Sequence, residues 1–204
     1  MATVLGHSAY RPIGHAQYPR RTTVRCQNDA MATYQHAETD PACAVAHGAP
    51  DADQVAQRTL IAVFASPVAE FLLRYGRDIG YRPVLLEPDP QRAITDVTAV
   101  TSIDAAAPDG DTDIVVTDHH RDELGPMLRD ALAAGVRWIG LMGNPRHVGP
   151  HRAALTALGV PDDEIARVHR PIGLNIGSRR PAEIAIATLA GLLADRNDRP
   201  GGFF

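Results

Sequence analysis

A chain of 204 residues with 45% hydrophobic content can bury one core of ordinary domain size, and a net charge of −4 argues against a nucleic-acid-binding face. All 20 basic side chains are arginine. Without lysine there can be no P-loop lysine, Schiff-base lysine or lysine general base, which excludes Walker-type ATPases, protein kinases and pyridoxal-phosphate enzymes.

Residues 1–57 show neither helical nor strand periodicity and are rich in Ala, His, Gly, Pro, Thr and Asp. Such a segment buries too little apolar surface to offset its ordering entropy, so a poorly ordered tail is expected. Its first 28 residues carry Arg11, Arg20, Arg21 and Arg25 and no acid, a composition shared with transit peptides, but no amphipathic helix accompanies it. Cys26 and Cys43 lack CxxC spacing and read as free thiols, and His7, His15, His36 and His47 are scattered. There is no 18-residue apolar run and no secretory h-region, so a cytoplasmic location is expected.

From Thr59 the pattern changes. TLIAVF (59–64) is a continuous apolar run suited to a strand covered on both faces. VAEFLLRYGRDIG (68–80) follows at helical spacing, with Val68, Phe71, Leu72, Tyr75 and Ile79 as its apolar face and Gly80 as its stop. RPVLLE (82–87) predicts a second strand, and ITDVTAV a short third one before a turn at APDGD. DIVVTD (113–118), DELGPMLRDALAAG (122–135) and VRWIGLMG (136–143) then read strand, helix, strand. HVGPHRAALTALGV (147–160) predicts a helix, residues 160–177 a loop around one helical turn, and PAEIAIATLAGLLADR (181–196) the strongest helix. Ile184, Ile186, Leu189, Leu192 and Leu193 supply its apolar side. Alternating strands and helices imply crossovers and a mainly parallel sheet. The expected class is α/β, Rossmann-like, with helices on both faces, over residues 58–197, followed by a short tail at 198–204. Its ligand crevice should lie at the C-terminal strand ends.

Four loops occupy that edge. In FASPVAEF (64–71) a dinucleotide fold would carry glycines for the tight turn and the phosphate approach. Here Ser66 and Pro67 read as N-cap and first helical residue, and Ala65 places a methyl where a phosphate would come. Glu87, about 20 residues on, stands where a ribose-binding acid would stand. In TDHHRDE (117–123), Thr117, Asp118, His119 and His120 suit acid–base chemistry or ligand hydrogen bonding, while Asp118 equally suits a helix N-cap. In LMGNPRH (141–147), Gly143 permits a sharp turn, Asn144 tolerates unusual dihedrals, and Arg146 and His147 offer donors. HRPIGLNIGSRRP (169–181) is the most distinctive. Gly173 and Gly177 frame Leu174, Asn175 and Ile176, while Arg179 and Arg180 precede the last helix as an anion cradle.

PIGLNIG followed by RPAEIAIATLAGLLA resembles the C-terminal signature of the XdhC/CoxI family, in which P-I-G-L-x-I-G precedes a helix opening P-x-E-I-A. LIAVFASPVA, IVVTDHH and WIGLMGNPR agree in order with the family's G-A-G-x-V-A, T-H-x-H and I-G-x-x-G-S-R segments. The sequence departs from them at Phe64 and Ser66, which take glycine positions, at Asp118, where histidine is common, and at Asn144-Pro145, where Ser-Arg is usual. The resemblance covers about residues 58–195 and implies the family's Rossmann-type domain without its separate cysteine-bearing domain. It further implies an accessory protein that binds molybdenum cofactor (molybdopterin) and supports its insertion into a xanthine dehydrogenase or carbon monoxide dehydrogenase type client. That role is a chaperone's rather than a catalyst's. Carried over by position, the ligand contacts are Ala65, Val68, Thr117, His120, Gly143, Pro171, Gly173, Leu174 and Gly177. An NAD(P)-dependent oxidoreductase and a degenerate scaffold that binds only a protein partner remain as alternatives, and homodimerisation is left open.

Overall fold

The computed structural model describes residues 58–93, 96–144 and 146–202. The tail expected over residues 1–57, with both cysteines and its four histidines, lies outside these, as does Pro145. Strands β1 (Thr59–Val63), β2 (Arg82–Leu86), β3 (Thr98–Val100), β4 (Thr112–Val116), β5 (Trp138–Leu141) and β6 (Val168–His169) form one sheet in the order β3-β2-β1-β4-β5-β6. Every neighbouring pair is parallel. The Rossmann-like α/β class is thus observed, with the strand order reversing between β1 and β4, where such sheets open their ligand crevice.

The strands are apolar on both sides because both faces are covered. Ile61, Val63, Ile114 and Val116 alternate into one core, against Leu124, Leu128 and Leu155 of α3 (Leu124–Ala133) and α4 (His151–Ala157). Leu60, Ala62 and Val115 point the other way, against Leu72 and Leu73 of α1 (Pro67–Asp78) and Ala185, Leu189 and Leu192 of α6 (Pro181–Arg196). Short α2 (Ile103–Ala106) and α5 (Asp162–Ile165) complete the α-helices among the described residues. The sequence reading missed α2 and β6, each too short to establish a period.

Two helix faces differ from those expected. In α1 the fully buried positions are Ala69, Leu72, Leu73 and Gly76, whereas Ile79 is exposed at the C-cap. In α6, Ala185, Ala187, Thr188, Leu189 and Leu192 are buried, and Ile186 is exposed. The reason is close approach. A Cβ at Gly76 would stand 2.6 Å from Leu60, so small residues, not the largest apolar ones, mark the packed stripe. The ends of α1 behave as read. Ser66 accepts the Ala69 N–H with Pro67 at the first turn, and α1 stops in a Schellman motif: Gly80 (φ 91°) donates to Arg77, and Tyr81 to Gly76.

Candidate functional site

The turn after β1 is filled by the protein itself. Phe64 takes φ 72°, the left-handed conformation that glycine adopts freely, and its ring is wholly buried. The Arg121 guanidinium lies 4.8 Å from that ring's centroid. Glu87, expected at the ribose position, accepts the N–H groups of Ala65 (2.8 Å) and Asp89 (3.1 Å) and pairs with Arg121 at 3.1 Å. Burial opposes ionisation of Glu87, but those two N–H groups and the guanidinium outweigh it and hold the carboxyl below its ordinary range. A carboxylate therefore sits on the Ala65 N–H at the place where a dinucleotide fold presents backbone to a phosphate.

Beside it, Ser66 and Thr117 stitch β1 to β4. The Ser66 hydroxyl donates to Thr117 Oγ1 (2.9 Å), which donates in turn to the Phe64 carbonyl (2.8 Å). Both hydroxyls are satisfied. Asp118 is not a helix cap, a correction to one of its two sequence readings. Its carboxylate accepts the His120 N–H in a local turn, and α3 begins only at Leu124 behind Glu123.

The open space lies farther along the edge. A cleft of about 740 Å³ runs between the ends of β4 and β5 and the 171–178 segment, within the usual range for small-molecule sites. It brings together nine of the expected residues: Val68, Thr117, Gly143, Asn144, Pro171, Gly173, Leu174, Asn175 and Gly177. Ile172, Ile176 and Ile184 add apolar wall, and His119 and Ser178 add polar edge. The Arg170–Pro171 peptide that leads into the segment is cis. Gly173 (φ 82°) seats the segment on α6: a Cβ there would meet the Ala187 and Thr188 backbone at 3.0–3.1 Å. Gly191, whose own Cβ would meet Gly173 at 3.0 Å, provides the other half of that contact. Leu174 N–H then bonds the Ala187 carbonyl (2.9 Å), which pins the wall. Among the described residues, the N–H groups of Asn175, Gly177 and Ser178 donate to no protein acceptor, so they remain free for water or a ligand.

The remaining expected residues lie elsewhere. Ala65, Ser66 and Glu87 belong to the filled turn. His120 lines a second, smaller pocket with His119, Asn144, His147 and Arg170. Arg146, Arg179 and Arg180 are exposed and line neither space. Glu183, from within the first turn of α6, accepts the N–H groups of Arg179 and Arg180, so those two groups are already occupied. The sequence reading overlooked Arg170 and Ile184 and gave His119 no weight over its neighbour. Arg170 had one signal, its place immediately before PIGLNIG.

No group of three or more His, Cys, Asp or Glu side chains gathers to hold a metal, and no helix is long and apolar enough to cross a membrane, among the described residues. The family model of the XdhC Rossmann domain matches residues 60–192. An uncharacterized protein of Escherichia coli K12, YqeB, is 36% identical over 104 residues, which span 51% of this chain and 18% of that protein. A crystal structure described as a xanthine dehydrogenase from Bacillus halodurans superposes with a TM-score of 0.56 at 22% identity, over 70% of this chain and 45% of that one. At that identity the likeness speaks to the fold. The chain thus spans less than half the length of either protein.

Proposed function

Because the chain belongs to the XdhC Rossmann-domain family, we propose that it is an accessory protein of the xanthine dehydrogenase system that holds molybdenum cofactor for a client enzyme. The observation that carries the reading is the cleft beside the family's P-I-G-L-x-I-G segment. It is of small-molecule size, walled by Ile172, Leu174 and Ile176, and edged by the unused N–H groups of Asn175, Gly177 and Ser178. These residues fit a planar pterin: apolar side chains for its faces, and amide groups of Asn144 and Asn175 for its hydrogen-bonding rim. When bound, the cofactor would supply the molybdenum-carrying group that the client uses in its own chemistry. This chain's residues bind, orient and shield it. No acid–base pair among them is required to make or break a bond.

The test is direct titration of the full chain with molybdopterin, NAD and NADP, followed by identification of small molecules that copurify. Saturable pterin binding is expected. Nicotinamide binding without pterin binding would overturn the reading in favour of an oxidoreductase, and binding of neither would favour a protein-binding scaffold.

A further inference from the structure

The smaller pocket, about 480 Å³, shares His119 and Asn144 with the main cleft and is lined otherwise by His120, His147, Val148, Pro150 and Arg170. Among the described residues, no carboxylate lines it. Arg170 is the organising group. Its guanidinium donates to two backbone carbonyls, His147 (2.9 Å) and Asn144 (3.1 Å), which orient it without neutralising it. Among the described residues it forms no ion pair, and its buried Nε has no partner. Two glycines make room for it: a Cβ at Gly143 would fall 2.5 Å from the guanidinium, and one at Gly149 would fall 2.8 Å from its Cδ. Behind Gly149, the buried His151 presents an unpartnered Nδ1. Asp118, the acid whose charge acts on His119, already accepts the His120 N–H.

We propose that the pocket framed by Arg170, His119, His120 and His147 is an oxyanion subsite that receives a phosphate group. An uncompensated guanidinium ringed by imidazoles is unfavourable alone and favourable around a doubly charged oxyanion, which accepts charge-assisted hydrogen bonds from each. Because the pocket opens on the cleft at His119 and Asn144, a phosphate attached to a ligand there would reach it, and in that respect the inference rests on the cofactor reading. Burial, His120 and Arg170 together hold the His119 imidazole below its ordinary range, against the pull of Asp118 and a hydrogen bond with the Met142 backbone. A bound anion would reverse that balance.

The test uses the full chain, inorganic phosphate, and histidine side-chain NMR. Phosphate should shift the His119, His120 and His147 resonances saturably and raise the His119 protonation midpoint. Arg170→Gln should weaken phosphate about tenfold or more. Because Arg170 also ties down the 144–147 turn, His120→Gln, at an exposed ring, provides a second variant with a smaller loss of affinity. A second arm compares a pterin monophosphate with the same pterin dephosphorylated. Preference for the phosphorylated form assigns the subsite to the ligand in the cleft. Phosphate binding with no such preference assigns it to a free oxyanion. Imidazoles that do not respond to phosphate, or an affinity unchanged in both variants, overturn the proposal. Dephosphorylated pterin binding as tightly as its phosphate, with the imidazoles silent, would do so while leaving the cofactor reading intact.

Discussion

The two halves of the sheet's C-terminal edge obey opposite rules. Around the β1–α1 turn the polar side chains are answered by other groups of the chain: Glu87 by Ala65, Asp89 and Arg121, and Ser66 by Thr117 and Ala69. Across the switch point, beyond β5 and β6, the reverse holds. The Arg170 charge, His151 Nδ1 and the amides of Asn175, Gly177 and Ser178 have no answering group. Protein interiors leave few buried polar atoms unsatisfied, so Arg170 Nε and His151 Nδ1, both buried and without a partner beside a cavity, mark where something else is meant to bind. The strand order of a nucleotide fold is present here, but the loop at the usual phosphate position is part of the core. Phe64 retains the positive φ of a glycine position and fills its space with a ring.

The contrast can be broken most forcefully at Glu87. Glu87→Ala would leave the Arg121 charge under-paired and the Ala65 N–H unanswered, and should destabilise the fold by on the order of 3–5 kcal/mol in urea unfolding. A loss below about 1 kcal/mol would show that the turn is not held this way. On the open side, Gly173→Ala forces a side chain into positive φ and against the α6 backbone, costing about 1–3 kcal/mol. Its diagnostic effect is on binding. The displaced 171–178 wall should lose pterin affinity well beyond what the stability loss explains, whereas Glu87→Ala protein that remains folded should retain it.

Acid titration separates the halves by pH. Glu87, His119 and His151 all have folded midpoints below their ordinary values, so in each case the unfolded chain takes up protons first and stability falls as pH falls. For His151 the cause is burial, then Arg170 and Arg152. The histidine contribution is complete above the ordinary 6.5 and is lost as pH drops below it. The Glu87 contribution is complete above 4.5 and is lost below that. Arg170→Gln should raise the His119 and His151 midpoints and shrink only the upper step, while Glu87→Gln should shrink only the lower one, to which Glu123 and Asp109 also contribute. If either variant flattens both, the two regions are coupled and the contrast is false.

What could be read beforehand follows the range of the forces involved. β1, β4, α1 and α6 were legible because continuous apolar runs and capping residues are local signals. So was the importance of PIGLNIG: two glycines around apolar residues imply a specific, close-packed loop, and Gly173 on α6 is that packing. The helix faces were misread at Ile79 and Ile186 because burial there is set by how closely two elements approach. The fate of Glu87 was illegible for a similar reason. Its partner Arg121 is 34 residues away, and only the pairing of β1 with both β2 and β4 brings them together. Arg170 illustrates the same limit from the other side, since a lone arginine before a proline carries no sign that the chain will leave its charge unpaired.

The smallest effect is the most discriminating. In a chain without lysine the permanently charged side chain that can meet a phosphate is arginine, and sequence position favoured Arg146, Arg179 and Arg180. All three are exposed, and α6 directs the Glu183 carboxylate, not an open set of amides, at the N–H groups of Arg179 and Arg180. A guanidinium that must reach out of water gains little from an anion, whereas one already oriented by carbonyls and partly withdrawn from solvent gains more. Replacing any of the three with alanine should therefore leave stability within about 0.5 kcal/mol of the parent and phosphate affinity within about twofold, while Arg170→Gln costs tenfold. Parallel phosphate titrations at two ionic strengths would decide it. Affinity that falls equally for Arg146→Ala and Arg170→Gln, and disappears with added salt, would mean a diffuse basic surface in place of a built subsite.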